Sequence, residues 1–304
     1  MSKLNVLVVI LALAAGLLPV FGLLGGAFWF FDLFNHFQVQ YAWFLLLCGL
    51  VLLARKAFRA AALAGILMLV PVARIVPWYL PPPAVQGGTG SIRLTSFNVL
   101  ASNRDHAAVL KWTRQSAPDA IYFTEVSEGW TEALRDLGEI YPHAINDGPD
   151  FAFFSKYPIE QSSVERVSEI EFPLLKVRLA TPGGTVTFLA GHPLPPIGSR
   201  WATAMDEFMA AMVREVSAES GRVIVAGDFN SSRWSYKSGP LLEAGLAEAA
   251  RGKAPGPTWM RRNPIFGIPI DRMLYRGEGM GCRSFEIGPD LGSDHRPVTA
   301  EFVW

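Results

Sequence analysis

The chain has 304 residues, 27 basic and 27 acidic, and half of it is hydrophobic, which is high for a soluble protein. Two cysteines, Cys48 in an apolar run and Cys282 far beyond it, exclude a disulfide framework. The apolar excess is confined: residues 1–84 carry only Lys3, Asp32, Arg55, Lys56, Arg59 and Arg74 as charged side chains, so a membrane piece precedes a globular piece.

Leu4 to Leu24 is uncharged and long enough to cross a hydrocarbon core, which takes about 20 apolar residues. A cleaved signal peptide would hand over to polar sequence, whereas a second apolar run follows, from about Phe37 to Ala54. A third, Ala60 to Leu80, carries Arg74 near its end, where a long side chain could snorkel to the head groups. Three crossings are expected. Lys3 precedes the first run and Arg55, Lys56 and Arg59 lie between the second and third, so both basic sites belong on the cytoplasmic face and everything after residue 80 outside it. The expected organisation is a multi-pass anchor in the inner membrane (1–80), a Pro/Gly linker (81–90) and a periplasmic domain (91–304).

Within that domain, short apolar or β-branched runs close on polar residues: "SIRLTSFN" at Asn98, "DAIYFTE" at Glu125, "TVTFLAGH" at His192, "RVIVAGDFN" at Asp228 and Asn230, and "GIPID" at Asp271. "HRPVTAEFVW" instead begins at His295. Between them, "RDHAAVLKWTRQSA", "SEGWTEALRDL" and "RWATAMDEFMAAMVREVSAES" have helical apolar spacing. The pattern predicts a mixed α/β fold, with an antiparallel portion where "FPLLKVRLA" and "TVTFLAGH" flank a "PGG" turn. No nucleotide-binding glycine loop, Cys/His zinc spacing or serine elbow occurs. His106 and His143 match no motif and are expected to be structural or exposed, and Trp130 and Trp201 to be packing residues.

If the sheet gathers the polar strand ends at one edge, carboxylate and carboxamide oxygens meet two imidazoles. Hard cations such as Mg2+ prefer such oxygens. With a cation bound, the set suits phosphoryl chemistry by water attack: the metal neutralises phosphate oxygens and a carboxylate or imidazole activates water.

The ordered motifs "SFN", "TEV", "SKYPI", "GHPLPP", "GDFN", "PTW…IDR" and "GSDHRPV" resemble the endonuclease/exonuclease/phosphatase superfamily from about Arg93 to the C-terminus. The apolar preface with "SFNVLASNRD" and "GPDLGSDHRP" is similar to its membrane-anchored bacterial branch. The resemblance implies a four-layer α/β sandwich, two packed mixed sheets flanked by helices, and a hydrolase dependent on Mg2+ or Mn2+. It makes Glu125 the principal metal ligand, Asn98 a support for metal and phosphate, and Asp294 a metal-side carboxylate. Asp228 and Asn230 position water and phosphate, His192 donates to a phosphate oxygen, Asp271 orients His295, and His295 contacts the scissile phosphate. Three positions depart from the usual pattern: Thr124, Lys156 and Arg272. Arg272 is expected to be a solvated strand residue, with a phosphate contact as the alternative.

Three functions remain open: a phosphodiesterase or phosphatase acting on a lipid-linked or small substrate, an extracytoplasmic nuclease, and a non-catalytic binding domain held at the bilayer. Only five of the 27 basic and one of the 27 acidic residues fall in the first 84, leaving the remainder with four more acidic than basic side chains. Duplex affinity comes mostly from Lys and Arg, so nucleic acid is the less favoured partner. Oligomeric state is not encoded in any motif.

Overall fold

The structure is a computed structural model that describes residues 2–82, 88, 90–146, 148–253, 256–260, 263 and 265–304. Most of the 81–90 linker, and the arginines of the one basic run "WMRRNP", lie outside the described residues.

Three helical stretches come first. Helix α1 (Lys3–Gly22) is followed by the short α2 (Trp29–Asp32), a 3-10 turn (Leu33–Phe37) and α3 (Gln38–Ala54), and α4 (Phe58–Tyr79) returns. Lys3–Gly22, Trp29–Ala54 and Phe58–Tyr79 are each long and apolar enough to span a membrane. Only 22, 22 and 17 % of their most apolar windows is buried, so most of their apolar surface faces outward. The second stretch starts eight residues earlier than the composition suggested, because aromatic residues around Asp32 continue the helical path. Arg55 donates to Asn5 Oδ1 and to Ser2 Oγ, which places the basic residues at one end of this bundle.

The rest forms two six-stranded mixed sheets. The strands are β1 (Ser91–Asn98), β2 (Ala120–Val126), β3 (His143–Ile145), β4 (Asp150–Ser155), β5 (Ile159–Val167), β6 (Phe172–Thr181), β7 (Gly184–Gly191), β8 (Arg222–Asp228), β9 (Ala247–Glu248), β10 (Asp271–Arg276), β11 (Gly281–Ile287) and β12 (Val298–Val303). One sheet runs β11-β12-β1-β2-β4-β3 and the other β5-β6-β7-β8-β10-β9. Their inner faces meet through Leu94, Tyr122, Phe188, Ile224 and Met273. Helices α5 (His106–Ser116) and α6 (Glu128–Leu134) cover the first sheet, and α7 (Ser199–Ala218) the second, by burying Met205, Phe208, Met209 and Met212 at helical spacing. α8 (Gly239–Glu243) is a single turn beside α7. This is the expected four-layer sandwich, and the β6–β7 hairpin is antiparallel as the "PGG" turn implied. Trp130 is fully buried, with His106 tilted on its ring at 4.2 Å between centroids.

The two regions are joined by more than covalent chain. The α1–α3 connection buries Asp32 and His36 against residues 232–236, and buried Asn35 donates to Asp32 Oδ1 and the Gly22 carbonyl. Asp32 accepts from Ser235 Oγ at 2.5 Å and from Tyr236 N at 3.0 Å, and Ser232 N donates to His36 Nδ1 at 3.2 Å. Arg74 donates to the Trp234 carbonyl and lies over the Tyr236 ring, a fixed acceptor and an aromatic face within its reach.

Candidate active site

Topology explains why the polar residues meet. β1 and β2 are parallel, as are β7 and β8, so Asn98, Glu125, His192 and Asp228 all fall at one edge. β10 and β12 leave that edge in the opposite direction, which places Asp271 and His295 there at strand starts. "GIPID" is therefore not a strand ending at Asp271. The strand begins there, Pro269 having no N–H for a ladder and Thr258 Oγ1 accepting from the amides of Ile270 and Asp271. Asp271 pairs directly across from Asp228.

Local backbone devices aim the side chains. Glu125 is the extra residue of a β-bulge between Thr124 and Val126, with φ +54°, which turns its carboxylate out of the strand alternation. Gly227, at φ +155°, lies so near β7 that a Cβ would come within 2.1 Å of the Gly191 carbonyl oxygen. Only glycine lets the ends of β7 and β8 close, and so lets His192 and Asp228 touch.

Asp228 is the hub. Its Oδ2 is 3.3 Å from His192 Nε2, 3.6 Å from His295 Nε2 and 3.0 Å from Asn98 Nδ2, while its Oδ1 accepts from Asn230 N at 2.9 Å. Asn98 Nδ2 also donates to Glu125 Oε1 at 2.8 Å, and its Oδ1 accepts from Leu100 N, so it braces both carboxylates. Asn230 Nδ2 donates to the Pro193 carbonyl at 3.0 Å and lies 3.2 Å from His192 Nε2. His295 Nδ1 is 2.8 Å from Asp271 Oδ2.

Burial alone would neutralise these groups, and their mutual pairing decides the outcome. It pushes Asp228 up, but His295, His192 and the Asn230 amide outweigh it and hold the carboxyl at about 2. For His295, burial lowers the ring, yet Asp271 and Asp228 lift it to about 10. His192 is likewise raised, Asp228 overcoming burial. Asp271 is raised by burial, with His295 pulling against it. The set thus holds an ionised Asp228 between two imidazoles whose affinity for a proton is raised.

The donor set fits a hard cation. Glu125, His192 and Asp228 form one group of ligand atoms within 4.8 Å of one another, and Asp228, Asp271 and His295 a second. Asp294 belongs to neither: its Oδ2 accepts from Trp259 Nε1 at 3.0 Å, and its Oδ1 is 4.0 Å from His295 Nε2. That Oδ1, like Asp271 Oδ1, is buried with no hydrogen-bond partner. Neighbouring Asp294 and His295 are thus turned to different partners, Trp259 and Asp271.

Sequence reading missed two groups. Arg272 is fully buried, neither solvated nor in contact with the site: it pairs with buried Glu248 at 2.7 Å, donates to Ser238 Oγ and lies over the Phe229 ring. It faces away from the site because neighbouring β10 residues alternate, and it ties the loop after Asn230 to β9. The other group is Asp32 and His36, which grip that same loop, with Asn35 bracing Asp32. The one available signal was three polar residues crowded into an aromatic run. Lys156 donates to the Ala117 carbonyl at 2.6 Å and is structural.

A two-sheet sandwich presenting carboxylates and imidazoles at one edge defines a class of metal-dependent phosphoester hydrolases in which water does the attack. The chain belongs to the endonuclease/exonuclease/phosphatase family, whose model matches residues 95–295. A UPF0294 protein of Vibrio cholerae is 34% identical over 94 residues, 31% of this chain and 32% of its own length, so the match spans about a third of that relative. The fold is similar to an endonuclease/exonuclease/phosphatase protein of Bacteroides vulgatus, with a TM-score of 0.61 and 17% identity over 70% of this chain and 99% of that one. It is also similar to the human Nocturnin catalytic domain with bound sulfate, at 0.56 and 18% over 71% and 96%. At these identities the structural likeness is one of fold.

Proposed function

We propose that this chain hydrolyses a phosphodiester or phosphomonoester with Mg2+ or Mn2+, residues 1–80 anchoring it as three crossings and domain 91–304 standing on the periplasmic face. The observation that carries the reading is the convergence of Asn98, Glu125, His192, Asn230, Asp271 and His295 on or around buried Asp228. The basic end of the helical bundle lies opposite the end that meets the domain, which supports that orientation.

Glu125 would hold the cation, with the free Asp294 Oδ1 available to it and Asn98 keeping Glu125 and Asp228 in register. When bound, the ion neutralises phosphate oxygens and makes water a better nucleophile. Asp228, at about 2, is too weak a base to remove a proton efficiently at neutral pH; it orients the water together with Asn230. His192 and His295 donate N–H groups to phosphate oxygens as negative charge builds. Asp271 keeps Nδ1 of His295 occupied, so that Nε2 faces the phosphate.

The test is a panel of phosphoesters on the full-length protein in vesicles, with Mg2+, with Mn2+ and in excess EDTA. Undiminished turnover in EDTA overturns the metal dependence, and no turnover of any ester leaves a binding domain. A nuclease stands second, because the fold is shared with zebrafish TDP2, solved with a single-strand DNA product. Plasmid nicking without turnover of lipid or small esters would make that reading correct. A reporter active only in the cytoplasm, fused after Trp304, should be silent; a bright signal reverses the orientation.

A further inference from the structure

Where the helical bundle meets the α/β domain there is a cavity of about 830 Å3, within the range of about 300–1,000 Å3 usual for small-molecule sites. One wall is α3 from Val39 to Leu47, eight residue steps or about 12 Å of helix. That depth is most of one leaflet of a hydrocarbon core about 30 Å thick. The opposite wall belongs to the domain and includes Ile265 and Phe266, 73 and 54 % exposed. Gln40 Nε2 donates to the Gly267 carbonyl at 2.8 Å and pins this wall to α3.

None of the eight site residues lines the cavity, but the segments around it lead to them. Trp234 lies four residues beyond Asn230, and Pro269 two before Asp271. Trp234 is held in place by its indole N–H to the Arg74 carbonyl, 3.1 Å away. Beside it in sequence, Arg233 is 5% exposed, lies over the Trp78 ring and does not line the cavity. An apolar slot that descends one leaflet, bounded at its upper end by loops running to a phosphoester site, matches one kind of molecule.

We propose that this cavity seats the hydrocarbon chain of a membrane phosphoester whose phosphate is presented to the Asp228 cluster; this rests on the phosphoesterase reading above and names its substrate class. Two esters that differ only in the chain isolate the effect: hexadecyl and methyl p-nitrophenyl phosphate. In both, water adds to phosphorus and p-nitrophenolate leaves. The full-length protein in vesicles with Mg2+ should prefer the hexadecyl ester. Val39→Trp, or the smaller filling Val39→Phe, should lower the hexadecyl-to-methyl rate ratio at least about tenfold, since two lost methylene contacts already correspond to that factor. Leu50→Trp, on α3 outside the cavity wall, should leave the ratio at the wild-type value. An unchanged ratio in both Val39 variants overturns the proposal. So does an equal fall in Leu50→Trp, which would make the preference one of partition into bulk lipid. Hydrolysis of the methyl ester with no preference for the hexadecyl one also overturns it while sparing the phosphoesterase reading; no hydrolysis of either diester overturns it too, and the phosphoesterase reading then falls only if the full ester panel is silent as well.

Discussion

In the helical segment Trp43, Leu47, Ile66 and Leu69 are 59 to 67 % exposed, while in the α/β domain Asp228, Asp271, Glu248 and Arg272 are 4% exposed or less. In water both arrangements would be costly, the first through bare apolar surface and the second through desolvated charge. Their coexistence in one chain shows that each region answers to a different requirement. The helices expose what a hydrocarbon solvent accepts, and the domain buries charge only where another charge or a strong donor meets it. The buried charges themselves divide into a cluster that ends at a sheet edge and the Arg272–Glu248 pair that does not, and variants should separate the two.

The largest effect is expected at the edge. Glu125 is only half-buried, so Glu125→Gln should leave the thermal unfolding midpoint unchanged, yet cut hydrolysis on the order of 10^3-fold, several kcal/mol of lost charge stabilisation. Wild-type rates in this variant would reduce the cluster to a structural ion network. Next come Asp271→Asn and His295→Gln, each expected to slow hydrolysis by about 10^2- to 10^4-fold, with the double variant little worse than the poorer single one because they act as a unit. Effects that multiply would mean they act separately. His295 also predicts a pH signature in EDTA. Its folded value of about 10 lies above the usual 6.5, so its contribution to stability is full below about pH 6.5 and lost as pH rises through about 10. Thermal unfolding against pH should show that alkaline loss in the wild type, and His295→Gln should flatten it.

Away from the edge, Arg272→Met should leave Glu248 buried and unpaired and cost about 3–5 kcal/mol of stability in denaturant unfolding. Adding Glu248→Leu should restore most of the loss, since a matched apolar pair replaces a matched ionic one. No recovery would mean that the Ser238 and Phe229 contacts of Arg272, and not its charge, hold this part of the domain.

How much of this was legible follows from where each signal resides. β8 is buried almost throughout, so Val223 to Ala226 reads as an unbroken apolar run closing on Asp228, while β1 shows apolar Ile92, Leu94 and Phe97 among polar residues before Asn98. β5 escaped notice because most of "IEQSSVERV" is exposed and polar at a sheet edge. Asp271 was placed at a strand end and lies at a strand start: local sequence shows that a run meets a polar residue but not which way the chain passes through the sheet. Arg272, Asp32 and His36 were opaque for a common reason. A polar residue looks solvated until its partner is known, and Asp32 finds Ser235 and Tyr236 some 200 positions away.

The smallest effect should come from that junction. Asp32 is 2% exposed and accepts from Ser235 Oγ, Tyr236 N and Asn35 Nδ2, so Asp32→Ala strands three donors at the boundary between the two regions. Each buried donor left without a partner costs about 1–3 kcal/mol, reduced where water can enter the gap. The sandwich core is untouched by this change, so its unfolding should shift little. What should loosen is the 231–238 loop, which starts one residue after Asn230. Limited proteolysis should cut it faster than in the wild type, and hydrolysis should fall only a few-fold, since Asn230 keeps its own bonds to Asp228 and Pro193. If neither changes, the helical segment merely carries the domain; if both change, the helical segment helps to shape the site.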